Sequence, residues 1–378
     1  MEALKEFVPR LDHRLRAIRH FKEKIGQVPL RVVVEGTRGK SSTVMMTAEM
    51  LRGLGKKTLA KVTGENPVII YGSLVMPLYR LKDSVLLDYE IVPEVLDFDI
   101  DSLVFENQAI TPYTMRYFHK VLSPQHVLIP NIRLDHLESL GEGIFEIAGN
   151  FAHNFYVHNS KVDIYYIETI EEIHRDVYPA LQAAQEDLPD TITLHDVPVP
   201  ERYKSLPGAE NFLVSAYFIN YNFGVTVDET QYMRRLAENL SIKTGKDEVR
   251  YVNLAKVNDP ASFLAALHYA IGGTTDEIVL VGYFRKDRAG RNYLFETIFP
   301  EIEKLYGHRI RKTWLAGYAS KHAFKKFSPA LRDKTYYWVN NDSIDSILSY
   351  AKKHDLLIIT MVNRVNAFMD ELYEKMVA

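Results

Sequence analysis

Cysteine is absent from all 378 residues. That absence excludes disulfides, thiolate metal sites, iron–sulfur clusters and a cysteine nucleophile. It also fits a cytoplasmic compartment. No apolar run approaches the ~20 residues of a membrane span. The opening stretch, MEALKEFVPRLDHRLRAIRHFKEK, has no continuous apolar signal-peptide core. Neither sign of charge dominates: 46 basic and 49 acidic side chains leave a net charge of −3. A nucleic-acid coat or a polybasic membrane binder would carry a strong excess of one sign, so neither is expected. The 13 histidines form no HExxH or paired-ligand spacing, and no serine nucleophile elbow is present. There is no internal repeat and no low-complexity tract.

What is present is an ordinary globular balance, 47% hydrophobic and 25% charged. At roughly 150 residues per domain the length suggests two domains. Residues 1–28 read as an amphipathic helix, because Leu11, Leu15, Ile18, Phe21 and Ile25 step by three and four onto one face. Basic residues cover the rest, so the helix packs on its own domain or, as basic amphipathic helices do, on a membrane surface or partner. Beyond it, apolar strand patterns alternate with helical ones. That order predicts an α/β fold, a mainly parallel sheet covered on both faces. A polar break at Lys243–Glu248 divides a central domain (29–243) from a smaller carboxy-terminal α/β domain (244–378). The aromatic run Tyr336, Tyr337, Trp338 reads as a core strand.

The most informative stretch is Val32-Val-Val-Glu-Gly-Thr-Arg-Gly-Lys-Ser-Ser-Thr43. A strand enters a glycine-bearing loop, and a helix opens on Lys-Ser. Glycines let the backbone approach phosphate oxygens, and the N–H groups at the helix start point at the anion. Lys40 supplies a mobile positive charge for the β- and γ-phosphates, and Ser41 a hydroxyl for Mg²⁺. The loop is shorter than the general phosphate-binding loop, since position 34 is Val where that pattern needs Gly. Two further motifs follow strand patterns: Glu106 in Val104-Phe-Glu-Asn-Gln-Ala109, and Asp135-His136 in Asn131-Ile-Arg-Leu-Asp-His-Leu-Glu138. Ligands of open α/β sheets bind outside the carboxyl ends of the strands. Ser41, Glu106 and His136 are therefore expected to meet in one crevice and ligate metal.

This constellation resembles the Mur ligase superfamily, and within it the ligase subunit of capsule poly-γ-glutamate synthetase, the CapB/PgsB family. Gly36, Thr37, Arg38, Gly39, Lys40, Ser41 and Ser42 match the nucleotide loop, Glu106 the strand-end metal ligand, and Asn131…Asp135-His136 the motif whose His serves a second magnesium. Asn211, in Pro207-Gly-Ala-Glu-Asn211, resembles the residue that meets the adenine. Asn258-Asp259 resembles the opening of the carboxy-terminal domain, and Arg285, Asp287 and Arg288 its Arg-x-Asp-Arg strand end. The sequence departs from cell-wall ligases in having no UDP-binding domain ahead of the loop. It departs from some superfamily members in having no Lys between Phe145 and Phe155 for carbamylation.

The resemblance implies ATP, two Mg²⁺ ions, a carboxylate acceptor and an amino acid, glutamate first. It implies amide formation through an acyl phosphate. Lys40, Glu106, His136, Arg285 and Asp287 would then be catalytic. It also implies membrane-bound synthetase partner subunits, a place at the inner face of the membrane, and no nucleic acid. Two alternatives stay open. One is a sibling ligase, folylpolyglutamate synthetase-like or acting on a cofactor. The other is a P-loop ATPase that switches partners.

Overall fold

The computed structural model describes residues 16, 18–63, 67–78, 99–107, 111–134, 137–152, 154, 161–167, 192–255, 257, 260–286, 292, 295–361 and 366–377. The chain forms two compact units. One holds Met1–Pro200 with Glu210–Glu229, the other Glu201–Ala209 with Thr230–Ala378. The chain crosses at Glu229–Thr230, ahead of the Lys243–Glu248 break. The amphipathic helix Thr230–Leu240 packs on the helix Pro260–Ile271 and the strand Arg250–Asn253.

The first unit is built on eight strands: β1 (Leu30–Val34), β2 (Thr58–Val62), β3 (Val68–Tyr71), β4 (Leu74–Pro77), β5 (Ser102–Glu106), β6 (His126–Ile129), β7 (Val162–Tyr166) and β8 (Ile192–Asp196). Their order is β4-β3-β2-β5-β1-β6-β7-β8. All neighbours are parallel except at the β2–β3–β4 end, where both pairings are antiparallel. Strands β1, β2 and β5 are almost wholly buried, as parallel strands covered on both faces must be. The β3–β4 hairpin was not expected. Its turn uses Gly72 at φ 58°, in the left-handed region.

Helix α1 (residues 18–26), α2 (Lys40–Gly53), α3 (Pro112–Leu122), α4 (Ile144–Ala152) and α5 (Ala209–Phe223) cover this sheet. Phe21 and Ile25 of α1 are 1% exposed and join Val33, Leu59, Leu103, Phe105 and Phe118 in one core. Within the described residues, the apolar stripe of α1 therefore packs on its own domain. Helix α3 opens on a Thr111–Thr114 capping box with Pro112 at its first position, which fixes where the helix starts. On the opposite face α2 meets α5, where the Thr47 hydroxyl donates to Ser215 Oγ at 2.9 Å.

The second unit has its own sheet: β9 (Lys243–Thr244), β10 (Arg250–Asn253), β11 (Ile278–Tyr283), β12 (Ile310–Ala316), β13 (Thr335–Val339) and β14 (Leu357–Met361). Their order is β13-β12-β11-β14-β10-β9, parallel except for β9. Val279, Val281, Ile358 and Trp314 pack under the helices Ile344–Lys353 and Ala367–Val377. Edge-to-face rings, Phe263 on Phe295 and Phe299 on Phe327, fill the other side. The expectation of a core strand at Tyr336–Trp338 is corrected here. Strand β13 lies at the sheet edge, and the three side chains are 51%, 41% and 64% exposed. An aromatic run reads as core because its burial potential is large, but an edge position leaves it half wet.

Candidate active site in the amino-terminal unit

Strands β5, β1 and β6 are neighbours, and their register sets Val34 level with Glu106 and with Leu128. Their carboxyl ends therefore deliver three loops to one place. The loop after β1 runs through Gly36 at φ 106° and Gly39 at φ 77°. Both conformations favour glycine, and both glycines are closely approached. A Cβ at Gly36 would sit 2.5 Å from the Asn131 carbonyl oxygen, and one at Gly39 would overlap the Asn211 amide. Helix α2 starts directly after Gly39, which has no side chain to cap it, and carries no acidic residue in its first turn. Its first N–H groups and the positive end of its dipole face outward from the loop, as an anion site requires.

Asn131, just past β6, organises the loop. Its Oδ1 accepts from the Thr37 hydroxyl at 3.2 Å and the Arg38 N–H at 3.1 Å, while its Nδ2 donates to the Arg38 carbonyl at 3.1 Å. The Arg133 N–H in turn donates to Thr37 Oγ1 at 2.7 Å. Buried Glu210, at the start of α5, accepts from the Arg133 guanidinium at 2.9 Å and from Asn131 Nδ2 at 3.5 Å. The next residue, Asn211, lies against Gly39, and its Oδ1 is buried with no hydrogen-bond partner among the described residues. A buried amide oxygen without a donor costs free energy unless a ligand supplies one. An adenine amino group or a similar N–H donor would do so.

The Lys40 ammonium donates to the Gly36 carbonyl at 2.8 Å, so it lies folded along the loop. The Ser41 hydroxyl donates to Glu106 Oε2 at 2.8 Å, and the Thr63 N–H donates to the same oxygen at 2.8 Å. Glu106 is 4% exposed. A hydroxyl and a carboxylate oxygen side by side at a phosphate loop are the hard oxygen donors that magnesium takes. Among the described residues no group of three His, Asp or Glu could hold a metal ion by itself. Ser41 and Glu106 therefore fit an ion that takes its remaining ligands from phosphate and water.

Thus the structure brings Gly36, Thr37, Arg38, Gly39, Lys40, Ser41, Glu106, Asn131 and Asn211 together within one unit, with Ser42 on the first turn of α2. His136 and Asp135 lie outside the described residues, as do Asn258, Asp259, Asp287 and Arg288. Arg285 belongs to the second unit, two residues past β11, where its carbonyl accepts from Asn292 Nδ2 at 2.6 Å. The sequence reading missed two supports. One is the Arg133–Glu210 pair, hinted at only by its adjacency to Asn131 and Asn211. The other is Glu35, directly before the loop. Its Oε1 meets the His119 ring at 2.6 Å and also accepts from Asn107, all at 3% exposure or less.

No family model matches the chain. Capsule biosynthesis protein CapB of Bacillus anthracis is 26% identical over 134 residues, 34% of this chain and 29% of that protein. PGA synthase CapB of Bacillus subtilis strain 168 is 28% identical over 138 residues, 35% of each. The match thus spans about a third of each relative. Among solved structures, MurF from Acinetobacter baumannii has a TM-score of 0.62 at 13% identity, over 96% of this chain and 80% of that one. Mycobacterium tuberculosis folylpolyglutamate synthase complexed with ADP also has a TM-score of 0.62, at 14% identity, over 99% and 98%. The chain has the Mur-ligase-like fold, and part of it is similar to CapB.

Proposed function

We propose that this chain, with its Mur-ligase-like fold and its CapB-like segment, is an ATP-dependent carboxylate–amine ligase that adds glutamate in γ-linkage. The observation that carries the reading is the Ser41–Glu106 contact beside an uncapped, glycine-turned helix start. In the proposed reaction a carboxylate oxygen of the acceptor attacks the γ-phosphorus of ATP. The bond to ADP breaks, leaving an acyl phosphate. The amine then attacks the acyl carbon, phosphate leaves, and the amine proton goes to solvent or a nearby base.

Phosphoryl transfer of this kind is mostly positioning and charge stabilisation. Lys40 swings from the Gly36 carbonyl to the terminal phosphate. The loop N–H groups hold the phosphate oxygens, and Asn211 accepts from the base. Ser41 and Glu106 would hold magnesium, which when bound offsets the negative charge on the phosphate oxygens. His136 is assigned to a second ion by resemblance. Arg285, Asp287 and Arg288, with Asn258 and Asp259, stay in the proposal on the same ground, as groups for phosphate or an amino-acid carboxylate. Membrane-bound partner subunits and a place at the inner membrane face rest on it too. No helix among the described residues is long and apolar enough to cross a membrane.

The folylpolyglutamate synthase likeness favours a second reading, a sibling ligase with another acceptor. Incubation with magnesium-ATP and an amino-acid panel, with glutamyl and folate acceptors in parallel, separates them by mass spectrometry of the products. ADP release that needs glutamate and a γ-glutamyl acceptor supports the first reading. Turnover independent of any amino acid would instead mark a nucleotide switch. Lys40→Ala should lower ligation on the order of 10²–10³-fold while the circular dichroism spectrum stays unchanged. Near wild-type ADP and amide formation by that variant would defeat the site assignment.

A further inference from the structure

The second unit carries a surface that the ligase chemistry does not use. Between residues 308 and 338 the sequence has eight Lys or Arg and a single acidic residue, Asp333, in a chain whose net charge is −3. The arginines are engaged by their own unit: buried Arg309 by the Asp276 and Ile271 carbonyls and, at the surface, Arg311 by Glu277 and Arg332 by the Phe327 and Lys325 carbonyls. The lysines form the surface. Lys321, Lys325 and Lys326 are exposed on the helix Ser320–Lys326, and Lys312 on β12 is half-exposed.

Strand β13 runs beside them at the edge of the sheet, so one side of its backbone pairs with no strand among the described residues. Its register alternates between the two faces. Tyr336 stacks on Trp314, and Tyr337 meets Phe324 of the lysine-bearing helix at 4.4 Å between centroids. Trp338 sits at φ 61°, a strained conformation for a bulky side chain. The Ser320 hydroxyl accepts its N–H at 3.1 Å, and its ring stays 64% exposed.

Two features decide what fits. The Tyr336 ring is covered by Trp314 on one side and by the Lys312 ammonium, 4.8 Å from its centroid. With Tyr337 against Phe324 as well, only the Trp338 ring stands largely open, short of the succession of free rings on which a single strand stacks its bases. An open strand edge with ammonium groups on both flanks suits a chain that has its own amides and carboxylates. Strand addition supplies main-chain hydrogen bonds, and alternate side chains reach the two flanks.

We propose that the β13 edge docks an acidic peptide segment of a partner protein as an added strand, its carboxylates alternating between Lys312 and the Lys321–Lys326 helix. This docking site does not depend on the ligase reading. The probe is a fluorescein-labelled peptide of repeated Glu-Glu-Val-Val, which sets carboxylates on both faces of a strand, titrated into the full chain at low salt and followed by anisotropy. Trp338 emission is read in parallel, since the chain's other tryptophan, Trp314, is 6% exposed.

Saturable binding is expected, with a shift in tryptophan emission. The triple reversal Lys312→Glu, Lys325→Glu, Lys326→Glu should weaken it by about tenfold or more. The same peptide with alternate backbone amides methylated should not bind to the unchanged protein. Equal binding of the methylated peptide would overturn strand addition. Unchanged affinity in the reversal variant, or no binding at all, would overturn the docking site and leave the lysines as edge protection. Preferential binding of a single-stranded RNA oligonucleotide or of phosphatidylserine vesicles would overturn the choice of partner.

Discussion

A single glycine shows how tightly the loop is specified. Gly39 takes φ 77°, and a Cβ there would overlap the Asn211 amide. Gly39→Ala combines left-handed strain with that overlap, and should destabilise the protein by about 1–3 kcal/mol. The overlapping atoms are the far end of a side chain, so Asn211→Ala removes the clash and leaves only the strain. The two changes should therefore be non-additive, with a coupling of about 0.5–3 kcal/mol in a urea-unfolding cycle. An additive cycle would mean that Asn211 does not press on the loop in solution. Glu35 is the contrasting case. The motif made Gly39 legible, because loop chemistry demands glycine at fixed places, while Asn211 was marked only by the family resemblance. Glu35 reads as one more acidic residue at a strand end. Its partner His119 lies 84 residues away on α3, a pairing no local pattern announces. His119→Leu leaves the buried Glu35 carboxyl short of one partner and should cost roughly 1–3 kcal/mol, measured as a lowered urea midpoint with the far-UV spectrum retained.

At the scale of the element, the contact of β6, β7 and β8 with α5 is where acid should act first. His126 opens β6 with its ring against Phe218 of α5, 5.2 Å between centroids, and its side chain is 13% exposed. Asp163 on β7 and His195 on β8 face it, with the Tyr165 hydroxyl 3.4 Å from its Nδ1. Lys161 adds a further positive charge nearby. Burial, the largest cause, lowers the His126 pKa from 6.5 to about 4, against the opposing pull of Asp163. The unfolded chain therefore takes up the proton first. Stability from this group is complete above pH 6.5 and falls as the pH drops toward 4, by roughly 3 kcal/mol in all. His126→Phe keeps a ring against Phe218 and removes the titration, so its urea midpoint should fall less between pH 7 and pH 4.5 than that of the unchanged protein. Parallel pH profiles for the two would place the acid-sensitive group elsewhere. The same elements show what patterning reveals. Buried parallel strands such as β1 and β5 are near-continuous apolar runs between turn residues, so alternation with helices exposed them within a residue or two. The β3–β4 hairpin was legible and overlooked: Gly72-Ser73 is a two-residue hairpin turn between the short apolar runs Val68–Tyr71 and Leu74–Pro77. The Tyr336–Trp338 strand was found but placed in the core, since residue type reports burial potential and not position in the sheet order.

At the scale of the whole molecule, the division of the chain makes a prediction that separates binding from chemistry. Each unit has its own sheet and its own buried core, so each carries the apolar burial that a domain needs. The described residues assigned to nucleotide and metal, from Gly36 to Ser41 with Glu106, Asn131 and Asn211, all belong to the first unit. That unit is complete at Glu229 apart from Glu201–Ala209, which groups with the second. A chain ending at residue 229 should therefore still bind a non-hydrolysable ATP analogue with magnesium, and the bound analogue should raise its melting temperature by mass action. Lys40→Ala in the same fragment should abolish that shift. Ligation should be lost altogether, because the resemblance assigns Arg285, Asp287 and Arg288 to the reaction and all three lie beyond the cut. Calorimetric titration of the fragment beside the full chain measures both halves of the statement. A folded fragment with no affinity for the analogue would mean that the loop, the carboxylate and the amide gathered in the first unit do not make a nucleotide site on their own.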